Sequence, residues 1–133
     1  MSSASLTAFT KLLVLDLEAS TRFYEGLGFA RVGADGTFVH LRWPAQGDVF
    51  LVGAPTGVRV DGKRGWGVLM GFVASSVDTV ARSAVALGAP VEGPQTQPWH
   101  TREVVVTDPD GYRLNFIEPA SPVPLEARRG LVS

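Results

Sequence analysis

Two landmarks recur at a single spacing in this chain, and that recurrence limits its possible folds more than any composition figure. Asp16 stands before the stretch LEASTRFYEGLG, and Ser76 stands before VDTVARSAVALG. Both side chains can accept hydrogen bonds from the free N–H groups of a first helical turn, so both read as N-caps. Glu18 adds favourable charge near the first of these helix starts. Leu17, Ser20, Tyr24 and Leu27 recur at helical spacing in the first stretch, as Val77, Val80, Ala84 and Leu87 do in the second. Gly26 and Gly28 are expected to end the first helix and Gly88 the second. The caps are 60 residues apart, and so are Gly28 and Gly88. Two landmarks with one offset indicate an internal duplication.

A strand pattern precedes each helix: KLLVLDL at 11–17, and the run from Val68. A hairpin pattern follows each. TFVHLRW (37–43) and DVFLVGA (48–54) flank Pro-Ala-Gln-Gly, while REVVVT (102–107) and YRLNFIE (112–118) flank Asp-Pro-Asp-Gly. Asp48 and Asp108 again differ by 60. Each half therefore reads as a βαβββ unit. The expected fold is α+β, one domain over 1–133, with two tandem βαβββ modules at about 7–57 and 64–119. Residues 120–133 read as a tail or as an arm that docks on a partner.

The last strand poses a question, because Asn115 interrupts an apolar run. In antiparallel pairing about the Asp-Pro-Asp-Gly turn, Leu114 and Phe116 share one face, and Asn115 shares the other with Arg113 and Ile117. The apolar pair should pack on the helices, leaving Asn115 on the opposite side.

Composition removes several classes of function. The 133 residues carry a net charge of -1, so nothing favours a nucleic-acid backbone or an anionic membrane as partner. The chain has no cysteine, which excludes disulfides, thiolate metal sites and thiol nucleophiles. MSSASLTAFT lacks the basic start and long apolar run of a signal peptide, and a soluble cytoplasmic protein is expected. No Gly-rich phosphate loop, GxSxG or Ser-His-Asp spacing occurs.

The strand before LDLEASTRFYEGLGF, together with DPDGYRLNFIEP at the far end, resembles the glyoxalase / bleomycin-resistance / extradiol-dioxygenase superfamily, the vicinal oxygen chelate proteins. The resemblance covers residues 9–119. It implies two modules forming a cupped mixed sheet, commonly completed by a second subunit in a module-exchanged homodimer. Metalloenzymes of that family place a His on the first strand of each module and a Glu on a last strand. The matching positions here are Phe9, Leu69 and Asn115. Neither Thr7–Leu13 nor Trp66–Phe72 contains a His, Asp or Glu. The expectation is that there is no metal and no other cofactor. His40 and His100, with Asp48 and Glu103 as nearest acids, remain a conceivable ligand set, although their spacing matches no metal motif.

Without a metal, the expected lining is aromatic with a few polar groups. Trp43, Trp66 and Trp99 fall at strand ends or loops, where rigid indoles could stack on a flat ligand at ~0.5–1.5 kcal/mol each. Gly65 and Gly67 would leave space beside Trp66, and Pro98 would stiffen the approach to Trp99. Alternation places Phe38, His40 and Arg42 on one face with Phe50 opposite, and Val39, Leu41 and Leu51 toward the helices. Arg102 and Val104 are expected to join Asn115. The candidate ligand-binding set is Phe38, His40, Trp43, Phe50, Trp66, Trp99, His100, Arg102 and Asn115, suited to a large planar molecule.

The resemblance favours the bleomycin-resistance branch: a self-resistance protein that sequesters an aromatic, DNA-damaging natural product without catalysis, in clefts of a homodimer. The alternative is a metal-independent enzyme of the same fold, an isomerase, cyclase or epoxide-opening enzyme on a polyketide-like substrate. Its acid–base group would be His40 or His100. A regulatory protein that uses the dimer fold alone ranks third, since it leaves the tryptophans unexplained.

Overall fold

The computed structural model describes residues 8–44, 47–54, 65 and 67–119. Trp66 and the tail 120–133 lie outside them. The first module runs β1 (Phe9–Val14), α1 (Leu17–Leu27), β2 (Ala30–Ala34), β3 (Phe38–Arg42) and β4 (Asp48–Gly53). The second runs β5 (Met70–Val73), α2 (Val77–Ala86), β6 (Val91–Thr96), β7 (Thr101–Thr107) and β8 (Arg113–Pro119). The α+β duplication is present as two four-stranded mixed sheets, ordered β1-β4-β3-β2 and β5-β8-β7-β6. In each, the first strand runs parallel to the last, and the helix makes the crossover that parallel pairing requires. No helix among the described residues is long and apolar enough to cross a membrane.

The caps act as the sequence implied. Asp16 accepts from the Ala19 N–H at 3.0 Å, and Ser76 Oγ from the Thr79 N–H at 3.2 Å. Gly28 closes α1 at φ 123°. Gly26 does not end the helix, because it lies inside α1 where the second module comes close. A Cβ there would stand 2.9 Å from the Leu87 side chain.

The 60-residue repeat holds only through the helices. Beyond them the register slips by five residues. His40 pairs with Phe50 in the first hairpin, and Val105 with Asn115 in the second. Lys11 pairs with Phe50, and Gly71 with Asn115. Phe50 is therefore the structural counterpart of Asn115. The matched spacing of Asp48 and Asp108 is coincidental: Asp48 opens β4, whereas Asp108 sits in the turn that follows β7. The extra residues lie in the β6–β7 hairpin: Arg31 pairs with Leu41, ten positions on, whereas Val91 pairs with Val106, fifteen positions on, and β2 and β6 each carry a similar bulge, between Arg31 and Gly33 and between Glu92 and Gln95.

One core serves both modules. Phe29, Trp43, Phe72 and Phe116 are buried together, with Phe29–Phe72 ring centroids 5.1 Å apart and Trp43–Phe116 4.9 Å apart. The Asp-Pro-Asp-Gly turn then clasps module two to module one. Tyr24 Oη donates to Asp108 Oδ2 at 2.7 Å, Ser20 Oγ to Asp110 Oδ2 at 3.2 Å, and the Leu15 N–H to Asp110 Oδ1 at 3.0 Å. Asp108 Oδ1 also accepts from the Asp110 and Tyr112 N–H groups, which fixes the turn itself. These buried acids are satisfied by donors from both halves, so the turn sets the orientation of one module on the other.

Candidate functional site

Strand alternation gives each sheet one face against its helix and one face turned away from it. In module one, Leu12, Val14, Val39, Leu41, Val49 and Leu51 are buried on the helix side. The intervening residues form the other face: Phe9, Lys11, Phe38, His40, Arg42, Asp48 and Phe50. Four of them make an aromatic wall. The His40 and Phe50 rings stack with centroids 4.3 Å apart at 11°, while Phe9 meets Phe50 edge-on at 5.1 Å and Phe38 lies 5.8 Å from it.

Asp48 anchors this wall. His40 Nε2 lies 2.7 Å from Asp48 Oδ1, and Arg42 Nε donates to the same oxygen at 2.8 Å. Burial acts to raise the Asp48 pKa, but the hydrogen bonds and charge of Arg42 and His40 outweigh it and hold the carboxyl below its usual range. An ionised carboxylate only accepts, so Nε2 carries a proton in this contact, and Nδ1 is an acceptor whenever the ring is neutral.

Module two presents a different face. Leu114 and Phe116 are fully buried on the helix side, and Asn115 is turned away with Glu103 and Val105. Asn115 Nδ2 donates to Glu103 Oε1 at 3.2 Å. Thr101 Oγ1 and Trp99 Nε1 donate to Glu103 Oε2 at 2.6 and 3.0 Å. Burial works to raise the Glu103 pKa, yet these three donors together bring it below the ordinary glutamate value. Asn115 Oδ1 is buried and has no hydrogen-bond partner. The two faces approach each other at a cleft of about 390 Å³ between β1 and β5, lined by Phe9, Thr10, Asp48, Leu69, Gly71 and Phe72.

Several expected site residues are placed elsewhere. Trp43 is not at a rim. It follows Leu41 in alternation, so it enters the core at 9% exposure, and its Nε1 donates to the Val73 carbonyl. Arg102 and Val104 do not join Asn115, because Glu103 and Val105 occupy that side of β7. Val104 is fully buried, and Arg102 reaches over the helix side to Asp78 at 2.9 Å. Gly65 packs closely on the turn before β8, since a Cβ there would lie 2.6 Å from the Gly111 carbonyl oxygen. His100 is exposed in the β6–β7 turn at φ 71°. The structure does not join the two histidines to a shared carboxylate. His40 is engaged by Asp48, and Glu103 by Trp99, Thr101 and Asn115. Among the described residues no group of three His, Asp or Glu is placed to hold a metal ion.

The sequence reading named Asp48 and Glu103 only as acids near histidines. Glu103 could have been found from parity: it alternates with Val104 and Val106, whose apolar character marks the helix side. Asp48 could have been found the same way, from Val49 and Leu51.

The fold has clear relatives. A bleomycin-binding protein solved in complex with bleomycin is 21% identical with a TM-score of 0.67, covering 86% of this chain and 98% of that one. A bleomycin resistance determinant encoded on the transposon Tn5 is 22% identical with a TM-score of 0.69, covering 88% and 100%. An antibiotic binding protein from Streptomyces sp. CB03234 is 21% identical with a TM-score of 0.68, covering 90% and 98%. Among curated proteins none matches the chain. A family model described as the Glyoxalase/Bleomycin resistance protein/Dioxygenase superfamily matches residues 6–116, five-sixths of the sequence, and the chain belongs to that superfamily.

Proposed function

We propose that this protein binds a planar aromatic antibiotic and holds it unchanged, as a resistance protein that lowers the free drug concentration by mass action. The observation that carries this reading is the aromatic wall of module one. Phe9, Phe38, His40 and Phe50 are assembled on the face turned away from the helices, with Phe9 half exposed. Rings fixed in advance stack on a flat ligand at low ordering cost. The likeness to bleomycin-binding and antibiotic-binding proteins supports the same direction. In this reading the open faces are closed by a second copy, and Trp66, Trp99 and Asn115 complete the lining.

The test is a titration of the full chain against a panel of aromatic DNA-damaging antibiotics, followed by tryptophan fluorescence, with the compound recovered for mass spectrometry. Saturable quenching with unchanged compound is expected. Absence of binding across the panel overturns the proposal.

One observation favours a second reading. The His40–Asp48 pair, 2.7 Å apart with Nδ1 of the ring available as acceptor, has the form of an oriented general base. An isomerase, cyclase or epoxide-opening activity would then show as an altered compound in the same experiment. That change would disappear in His40→Gln while binding remained.

A further inference from the structure

We propose that Glu103, Asn115 and Trp99 form a cation subsite that selects aromatic ligands bearing a protonated amine. The inference rests on the aromatic-ligand reading above and adds a charge requirement to it.

The argument begins with what Glu103 lacks. It is partly buried, and its three donors, Asn115 Nδ2, Thr101 Oγ1 and Trp99 Nε1, are all neutral. No cation among the described residues pairs with it. Arg113, on the same face of β8, is drawn to Glu92 at 2.9 Å. Arg102 lies on the opposite side with Asp78, and Arg42 is held by Asp48. A carboxylate removed from water without a countercharge favours any cation that can reach it.

The neighbours of Glu103 sharpen the selection. Asn115 gives one of its two amide hydrogens to Glu103, and its Oδ1 is a buried acceptor without a partner. Trp99 spends its only donor in the same way, while 59% of its surface stays exposed. What remains at this corner is an anionic acceptor, a neutral acceptor and an indole. The carboxylate and the indole have no hydrogen left to give, and Asn115 keeps a single amide N–H. An ammonium group satisfies them together, as an ion pair, a hydrogen bond and a cation–π contact. A ketone oxygen, which can only accept, would meet mainly acceptors there. Gly71, paired with Asn115 from β5, is exposed and puts no side chain in the way.

The experiment compares two flat tricyclic dyes on the wild-type chain at near-physiological salt: 9-aminoacridine, a cation with N–H donors at neutral pH, and acridone, a neutral ketone. The expected result is at least tenfold tighter binding of 9-aminoacridine. Glu103→Gln should reduce that preference to under threefold, chiefly by weakening 9-aminoacridine. Trp99→Leu, at an exposed position, should narrow it by removing the cation–π contact, which provides a reading if the first variant fails to fold. Equal affinities on the wild type, or a preference that survives Glu103→Gln, overturn the cation subsite and leave the aromatic reading intact. Failure of both dyes and of the antibiotic panel overturns both.

Discussion

The rings of His40 and Phe50 lie parallel across the β3–β4 pair, 4.3 Å apart and 11° from coplanar. Phe50 is the hub of the module-one wall, touching Phe9 and Phe38 as well. Phe50 is only partly buried, on the side away from the helices. Phe50→Ala should therefore weaken ligand binding by tenfold or more while lowering stability by roughly 1–3 kcal/mol, less than a fully buried ring would cost. Fluorescence titration and thermal melting measure the two effects separately.

Trp43 should show the opposite pattern. It is buried against Phe29 and Phe116 and anchored to the Val73 carbonyl. Trp43→Phe removes the N–H and leaves a space, and should destabilise the protein by roughly 2–4 kcal/mol. The affinity of the protein that remains folded should be unchanged. A loss of affinity without a loss of stability would mean that the indole contacts ligand.

The clasp makes a third expectation. Tyr24→Phe deletes the 2.7 Å bond to Asp108 and leaves a buried carboxylate short of a donor. The cost should be about 1–3 kcal/mol in urea unfolding. Because the bond joins the two modules, the transition should also lose steepness if the halves begin to unfold separately.

Glu103 and Asp108 should act on acid stability in opposite senses. The Glu103 pKa is lowered in the fold from its ordinary 4.5, through the donors that outweigh its burial. Its contribution is therefore fully present above about that pH and is lost as the pH falls through the folded value. Asp108 is raised from its ordinary 3.8, chiefly by burial, so it costs stability as the pH rises through and above that range. Glu103→Gln should flatten the acid limb of stability against pH. Denaturation midpoints measured from pH 3 to 7 would show no change of slope if Glu103 were unperturbed.

The fold was readable because helices announce themselves locally. Asp16 and Ser76 each mark a helix start with one side chain, and both do so in the structure. Strands depend on pairing, which a single sequence does not display. The alternation of Phe38–Arg42 gave the facing of the first hairpin correctly, since Val39 and Leu41 are unmistakably apolar. For β7 the parity was assigned from Arg102, a residue whose stem and charge can lie on either side. That one-residue slip exchanged Arg102 for Glu103. Trp43 was misplaced because its position at a strand end suggested a rim, whereas the core here extends past the strand ends to join two modules. The five-residue slip between the hairpins was hidden by the chance match of Asp48 with Asp108.

The clasp also bears on how the chain could be divided. Among the described residues, Tyr24, Ser20 and Leu15 reach Asp108 and Asp110 from the other module. Two separately made polypeptides, one ending after β4 and one beginning before β5, would carry these donors and acceptors on opposite fragments. The duplicated architecture thus contains a ready-made split reporter, whose reassembly would depend on a tyrosine of one fragment meeting an aspartate of the other.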